Sequence, residues 1–395
     1  MAIYLDYAAT APMPPEVIDA YTSALHLVGN PASIHSQGQD ARRVLEEARE
    51  AVATSLGADR VEVTFTGGGT EAVNLGIKGL FWSRVSTGST TETTETTEAA
   101  ATAGDRARRD RILVPRAEHH ATIEAVEWLE QHEGAVIDWI PVDGVGRIDL
   151  AYLEAHLGDD VALVTLLMAN NEIGTIQPVA EVAALAAAHQ IPVHVDAIAA
   201  YGYLPIDFHA LGVAALSVSA HKVGGPVGLG ALVIARSTTI TPLVHGGSQQ
   251  RGRSGTQDAA GAAAFGVAAG LLRQPDATLR DRLIAGVLEA VPGAVLRGDP
   301  VDRLPGNAHF TFPGCEGDSL LYLLDTAGFS VSTGSACQAG VPEASHVLLA
   351  LGLDEPTARG ALRFTLGSGT TAEEVDALTA ALPTAVERAR TAGLA

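Results

Sequence analysis

VALVTLLMANNEIGTIQPVAEVAALAAAHQIPVHVDA, residues 161–197, holds one complete strand, helix and strand in succession. Residues 161–168 are almost wholly apolar and rich in β-branched types, which suits a strand buried on both faces. Residues 179–189 carry apolar side chains at helical spacing, and residues 192–197 return to a β-branched run. This order is the unit of a parallel sheet, because returning to the same edge in the same direction requires a crossover helix. The pattern extends in both directions: VEVTF (61–65), RILVP (111–115), LSVSA (216–220) and ALVIA (231–235) read as strands, and residues 70–81 as a helix. The expectation is an α/β protein with a large domain over residues 13–262.

After about residue 262 the pattern changes to long helices, an alternating NAHFTF segment (307–312) and an Ala-rich amphipathic C-terminal helix. Residues 1–12 and 263–395 are therefore expected to form a smaller α+β domain. Residues 86–104, STGSTTETTETTEAAATAG, are polar and low in complexity, and read as a solvated insertion with no assigned role.

With 395 residues, 47% of them hydrophobic and 18% charged, the chain is long enough for two or three packed units. No apolar run approaches the ~20 residues that cross a bilayer, and the start, MAIYLDYAATAPMPPE, has no secretory pattern. A cytoplasmic location with no membrane association is expected. Forty-six acidic against 25 basic residues give a formal charge of -21, which repels a phosphate backbone, so stable nucleic-acid binding is not expected. The two cysteines, Cys315 and Cys337, lie outside any CxxC or Cys/His pattern, which argues against a disulfide scaffold or a metal site.

Three stretches carry chemistry. TGGGTEAVN (66–74) puts a glycine cluster between a strand and a helix, where backbone N–H groups and the helix dipole cradle a phosphate, or where the glycines serve only a tight turn. It matches neither GxGxxG nor GxxxxGK[ST]. Asp196 ends one strand, and Lys222, in SAHKVGGPVG (219–228), ends another. A carboxylate that keeps a pyridine nitrogen protonated and a lysine that condenses with an aldehyde are what a pyridoxal phosphate enzyme needs. Ser219 and His221 flank that lysine as donors to a phosphate. Cys337, in VSTGSACQAGVPEASH (331–346), sits among Gly, Ser and Ala with a proline following, the composition of a loop able to carry a thiol in and out of a site. Cys315, in FPGCEGDSLL, and His194, inside an apolar strand, read as structural residues.

In YLDYAAT (4–10), GNPASIH (29–35), FTGGGTEAVNLGIKG (65–79), AEHHAT (117–122), ANNEIGTIQP (169–178), HVDA (194–197), SAHKVGGPVG, RSGT (253–256), STGSAC (332–337) and LRFTLG (362–367), the chain resembles the class V aminotransferases. Within them it is most similar to the NifS/IscS-like cysteine desulfurases. The resemblance implies a fold-type I transferase using pyridoxal 5'-phosphate. It implies Gly69, Thr70, Ser219 and His221 around the phosphate, with Thr256 reaching the phosphate of the other subunit of a homodimer. It implies His119 stacked on the pyridine ring with His120 a bystander, Asn171 touching substrate and cofactor, Asp196 on the ring nitrogen, and Lys222 holding the cofactor. Arg363 would bind the carboxylate of L-cysteine, a role suited to a planar bidentate donor, and Cys337 would take the sulfur as a persulfide for an acceptor such as an iron–sulfur scaffold or a thiolation protein. Two features depart from the family pattern. Ala199 stands where a glutamine usually follows the aspartate by three positions, and HGGSQQRGRSGT (245–256) is one residue short before Thr256. Open alternatives are a selenocysteine lyase or aminotransferase of the same family, a silent sulfur-transfer or scaffold-binding homologue, and a redox sensor using Cys337.

Overall fold

The computed structural model describes residues 2–88, 109–273, 275–334 and 344–392. Twelve strands occur among them: β1 (Ile3–Tyr4), β2 (Val63–Thr66), β3 (Arg111–Pro115), β4 (Val136–Ile140), β5 (Val161–Leu167), β6 (Val193–Asp196), β7 (Ala215–Ser219), β8 (Gly230–Ile234), β9 (Val295–Arg297), β10 (Asn307–Thr311), β11 (Phe329–Ser330) and β12 (Ala361–Thr365). Seven of them form the main sheet in the order β2-β8-β7-β6-β5-β3-β4. Within it β8 runs antiparallel to both β7 and β2, and the remaining pairs are parallel. A second sheet of order β12-β10-β9 is antiparallel, and β1 pairs with β11.

Helices cover both faces of the main sheet. Val164, Leu166, Val193, Val195, Leu216 and Val218 face one apolar layer that includes the helix Ser36–Ser55. The opposite face packs under the helices Gly69–Gly88 and His120–Glu133. Because strand side chains alternate, Thr165, His194 and Ser217 fall together on this second face. They form a buried chain, His194 Nδ1 with Thr165 Oγ1 at 2.9 Å and Nε2 with Ser217 Oγ at 2.8 Å. His194 is thus a core residue, as its apolar strand implies, and two positions further along the same face comes Asp196.

The strand expected over residues 61–65 begins at Val63. Asp59 and Glu62 close a tight turn over Arg60–Glu62, with Asp59 N–H donating to Glu62 Oε2, and that turn takes Val61 out of the sheet and leaves it exposed. The helix expected over 70–81 extends to Gly88 and so includes the first three residues of the polar stretch. Residues 89–104 of that stretch lie outside the described residues. VIDWI at β4, a partly exposed strand at the edge of the main sheet, was not among the strands read from the sequence. No helix among the described residues is long and apolar enough to cross a membrane.

Candidate active site

The carboxyl ends of β2, β3, β5, β6 and β7 point the same way, and the loops leaving them converge on a cavity of about 280 Å³. In doubly wound sheets this is where ligands bind. Its walls include Gly69, Thr70, His119, Asn171, Asp196, Ser219, His221, Lys222 and Arg363, so the structure brings together nine of the residues singled out from the sequence. Thr256 does not line it and is exposed. Cys337 lies outside the described residues. The chain enters residues 335–343 from Gly334, which lines the cavity at φ 91°, a backbone conformation that favours glycine.

One wall is the start of the helix Gly69–Gly88. A Cβ on Gly69 would lie 2.5 Å from Ile198 Cδ1 and 3.1 Å from Ser219 Cβ, so a larger residue there would push Ile198 aside where this helix end meets the β6 loop. The exposed N–H groups of the first turn give that wall a positive field. Ser219 lines the same cavity with its hydroxyl oxygen buried and without a hydrogen-bond partner.

Asp196 is buried, with Oδ1 accepting from Ile198 N–H at 2.9 Å. Burial pushes its carboxyl up to about 6, against the opposing pull of that N–H and of Lys222. Lys222 sits in the turn Ala220–Val223, and its Nζ donates to the carbonyls of Ala8 and Ala9. His221 is brought down to about 4 by burial and the adjacent lysine.

His119 caps the helix His120–Glu133, its Nδ1 accepting from Ala121 N–H at 3.0 Å. Burial, then Lys222 and the neighbouring imidazoles, bring it down to about 4. It is neutral at pH 7, and since Nδ1 accepts, Nε2 carries the proton. His120 turns instead to His346, with ring centroids 4.5 Å apart, and does not line the cavity. Arg363 Nη1 donates to the Asn171 carbonyl and Nη2 to Asp6 Oδ1, both at 3.0 Å. Cys315 is buried, Sγ facing the Val386 carbonyl, as a structural thiol should be.

The arrangement can hold an anion at a helix end, set a buried carboxylate opposite a cationic ring atom, offer an amine, and clamp a second carboxylate with a guanidinium. The family model "Aminotransferase class-V" matches residues 3–103 and 85–378. An IscS-like cysteine desulfurase of Mycobacterium tuberculosis is 47% identical over 404 residues, covering 99% of this chain and 98% of the relative. The chain belongs to the class V aminotransferase family. Among solved structures, a NifS-like protein superposes with a TM-score of 0.85 at 32% identity, covering 98% of this chain and all of the other. SspA in complex with cysteine superposes at 0.79 with 29% identity, covering 92% and 98%.

Sequence reasoning had not assigned several residues that shape this class V site. Asp6 holds Arg363, and the signal for it was present in YLDYAAT, whose acid has no local partner. Glu118 is buried, its Oε1 accepting from Leu167 N–H at 2.9 Å, and burial holds its carboxyl well above the usual range. Asn170 ties the β3 and β5 loops together by donating to the Ala117 carbonyl and accepting from the N–H groups of Glu172 and Ile173. No local pattern distinguishes Glu118 or Asn170 from ordinary surface acids and amides.

Proposed function

We propose that this class V protein is a pyridoxal 5'-phosphate-dependent cysteine desulfurase, converting L-cysteine to L-alanine and holding the sulfur as a persulfide on Cys337. The observation that carries the reading is Asp196 and Lys222 opening on one cavity beside the start of the helix Gly69–Gly88. The cofactor's parts fit what is present. Its phosphate suits the N–H groups after Gly69, with Thr70, His221 and the unpartnered Ser219 hydroxyl as donors. Its ring nitrogen suits the buried Asp196, and its aldehyde suits Lys222. When bound, it supplies an electron sink for charge that develops at the substrate α-carbon.

The side chains then divide the work. Asp196, ionised at neutral pH, would hold a proton on the ring nitrogen. Arg363 holds the substrate carboxylate by its Nη edge, and Asn171 lies beside it to orient the bound amino acid. Lys222 would hold the cofactor, and its Nζ, when free, would take the α-proton of the substrate. His119, a neutral imidazole on the cavity wall, could donate its Nε2–H proton to the bound group. The Cys337 thiolate attacks the substrate sulfur: an S–S bond forms, the C–S bond breaks, the electron pair stays with the β-carbon, which is protonated, and return of a proton to the α-carbon gives alanine.

Thr256 is exposed and away from this cavity, as a residue serving the phosphate of a second copy would be, and this supports a homodimer. The same reading divides the chain at about residue 262, places it in the cytoplasm, and makes an iron–sulfur scaffold or thiolation protein its sulfur acceptor. The test is to load the purified protein, add L-cysteine, and measure alanine, sulfide and the alkylated persulfide peptide together. Equal alanine and sulfur with the label on Cys337 are expected. Lys222→Ala should abolish both, Cys337→Ser should leave no protein persulfide, and Cys315→Ser should behave like the parent. A label on the Cys315 peptide with Cys337 unmodified would overturn the assignment.

A further inference from the structure

Behind Arg363, on the strand beside it, lies a buried imidazole with no role in the chemistry above. Strands β10 and β12 are antiparallel with His309 directly opposite Arg363. Ala308 and Phe310 pack with Leu362 and Phe364 in the apolar core of the three-stranded sheet. By alternation, His309 and Arg363 share the other face. His309 is fully buried, and neither ring nitrogen has a hydrogen-bond partner. Arg363 Nε is likewise buried and without one, although Nη1 and Nη2 are both engaged. Buried polar atoms without partners are rare in folded proteins, and here they occur on two residues paired across adjacent strands.

We propose that His309 is a positioning residue for the carboxylate clamp: its imidazole supplies the acceptor for Arg363 Nε–H and so fixes the plane of the guanidinium. This rests on the reading of Arg363 as the group that binds the substrate carboxylate. Neither atom reaches the other directly, so the contact is made across one bridging water. The surroundings favour a neutral ring. Burial, with the charges of Arg363, Arg303 and Arg297, holds it down to about 3, and Glu172, which also abuts Gly334, is engaged by Ser345 Oγ. A neutral imidazole offers one acceptor without cancelling the guanidinium's charge, which a carboxylate in its place would do. Asp6 already pairs with one end of that guanidinium, so a second acid would weaken its hold on the substrate. On its far side His309 Nε2 lies 3.2 Å from where a Cβ of Gly334 would stand, so the ring abuts the cavity wall itself.

The loaded enzyme tests this with three variants. His309→Phe keeps a buried ring but has no acceptor, and His309→Gln restores one. Thermal melting checks folding, and His309→Ala, which only removes atoms, replaces the Phe variant if that one does not fold. Expected for His309→Phe is a KM for L-cysteine raised about tenfold with kcat within about twofold, and recovery of most of the loss in His309→Gln. Spectral titration should give weaker binding of L-alanine, which has a carboxylate, and unchanged binding of cysteamine, which has none. An unchanged KM, an equal loss for cysteamine, or no recovery with Gln would overturn the proposal. Arg363→Lys separates the two layers. If it too leaves KM unchanged, the clamp assignment fails. If it raises KM while His309→Phe does not, only the role of His309 fails.

Discussion

Asp6 and Arg363 stand 357 positions apart in the chain and share one ion pair, Arg363 Nη2 donating to Asp6 Oδ1 at 3.0 Å. The pair forms because the chain beyond β1 lies along β12, bridging Asp6 to Thr365. The adjoining residues Ala8 and Ala9 then cover Lys222.

Arg363→Lys keeps a cation but loses the planar fork. Catalytic efficiency with L-cysteine should fall ~10- to 100-fold, about 1.4–2.8 kcal/mol. Asp6→Asn, which loosens the guanidinium without removing it, should cost less and act mainly on KM. Steady-state kinetics on both variants check this, and parent-like efficiency in Arg363→Lys would take Arg363 out of the site.

Ala199 lines the main cavity and also a chamber of about 20 Å³ behind it, shared with Tyr7, Asn171, Tyr203 and Lys222. Its methyl group cannot donate to the cofactor's phenolic oxygen. Ala199→Gln should shift the pH midpoint of the bound cofactor's visible absorbance, because a hydrogen bond to a charged oxygen favours the charged form. A titration superimposable on the parent's would mean another group already fills that role.

Gly76 seats the helix Gly69–Gly88 on the sheet, and a Cβ there would lie 2.4 Å from His194 Cδ2. Thr165 and Ser217 pin that ring from both sides, so the helix must give way. Gly76→Ala should destabilise the protein by ~1–3 kcal/mol. It should also weaken cofactor retention, since the same helix carries Gly69 and Thr70. Gly270→Ala, with open space around it, should do neither. Urea melts and the visible absorbance of the purified variants decide.

Burial holds four imidazoles neutral in the folded chain, His194 and His309 down to about 3, and His119 and His221 down to about 4. An unfolded histidine titrates near ~6.5. Below that pH the unfolded chain takes up protons the folded one refuses, so this stability is complete above ~6.5 and is lost as pH falls toward the folded values. Asp196, raised to about 6, works the other way between ~4 and 6, and Glu118, held well above its usual range by burial, works in the same direction, but two carboxyls oppose four imidazoles. The cofactor-free protein should therefore have a lower urea midpoint at pH 5 than at pH 7. His194→Asn should flatten that slope, and an unaltered slope would remove His194 from the account.

Local sequence determined the elements and the side chains' faces. Continuous apolar, β-branched runs wrote β3, β5, β6 and β7, and the alternation of side chains along a strand put Asp196 on the face of His194. HVDA and SAHKVGGPVG marked strand ends, so Asp196, Lys222 and Ser219 were legible one by one, while Thr70 came only from the family resemblance. Only the tertiary structure decided which ends meet. The order β2-β8-β7-β6-β5-β3-β4 sets the loops after β2, β3, β5, β6 and β7 around one cavity, and no short-range pattern encodes that order. The pairings Asp6 with Arg363, His309 with Arg363 and Gly76 with His194 each depend on the register or packing of elements far apart in the chain. Periodicity reports which way a residue faces within its own element. What it faces is settled only when burial of the apolar layers brings distant elements together.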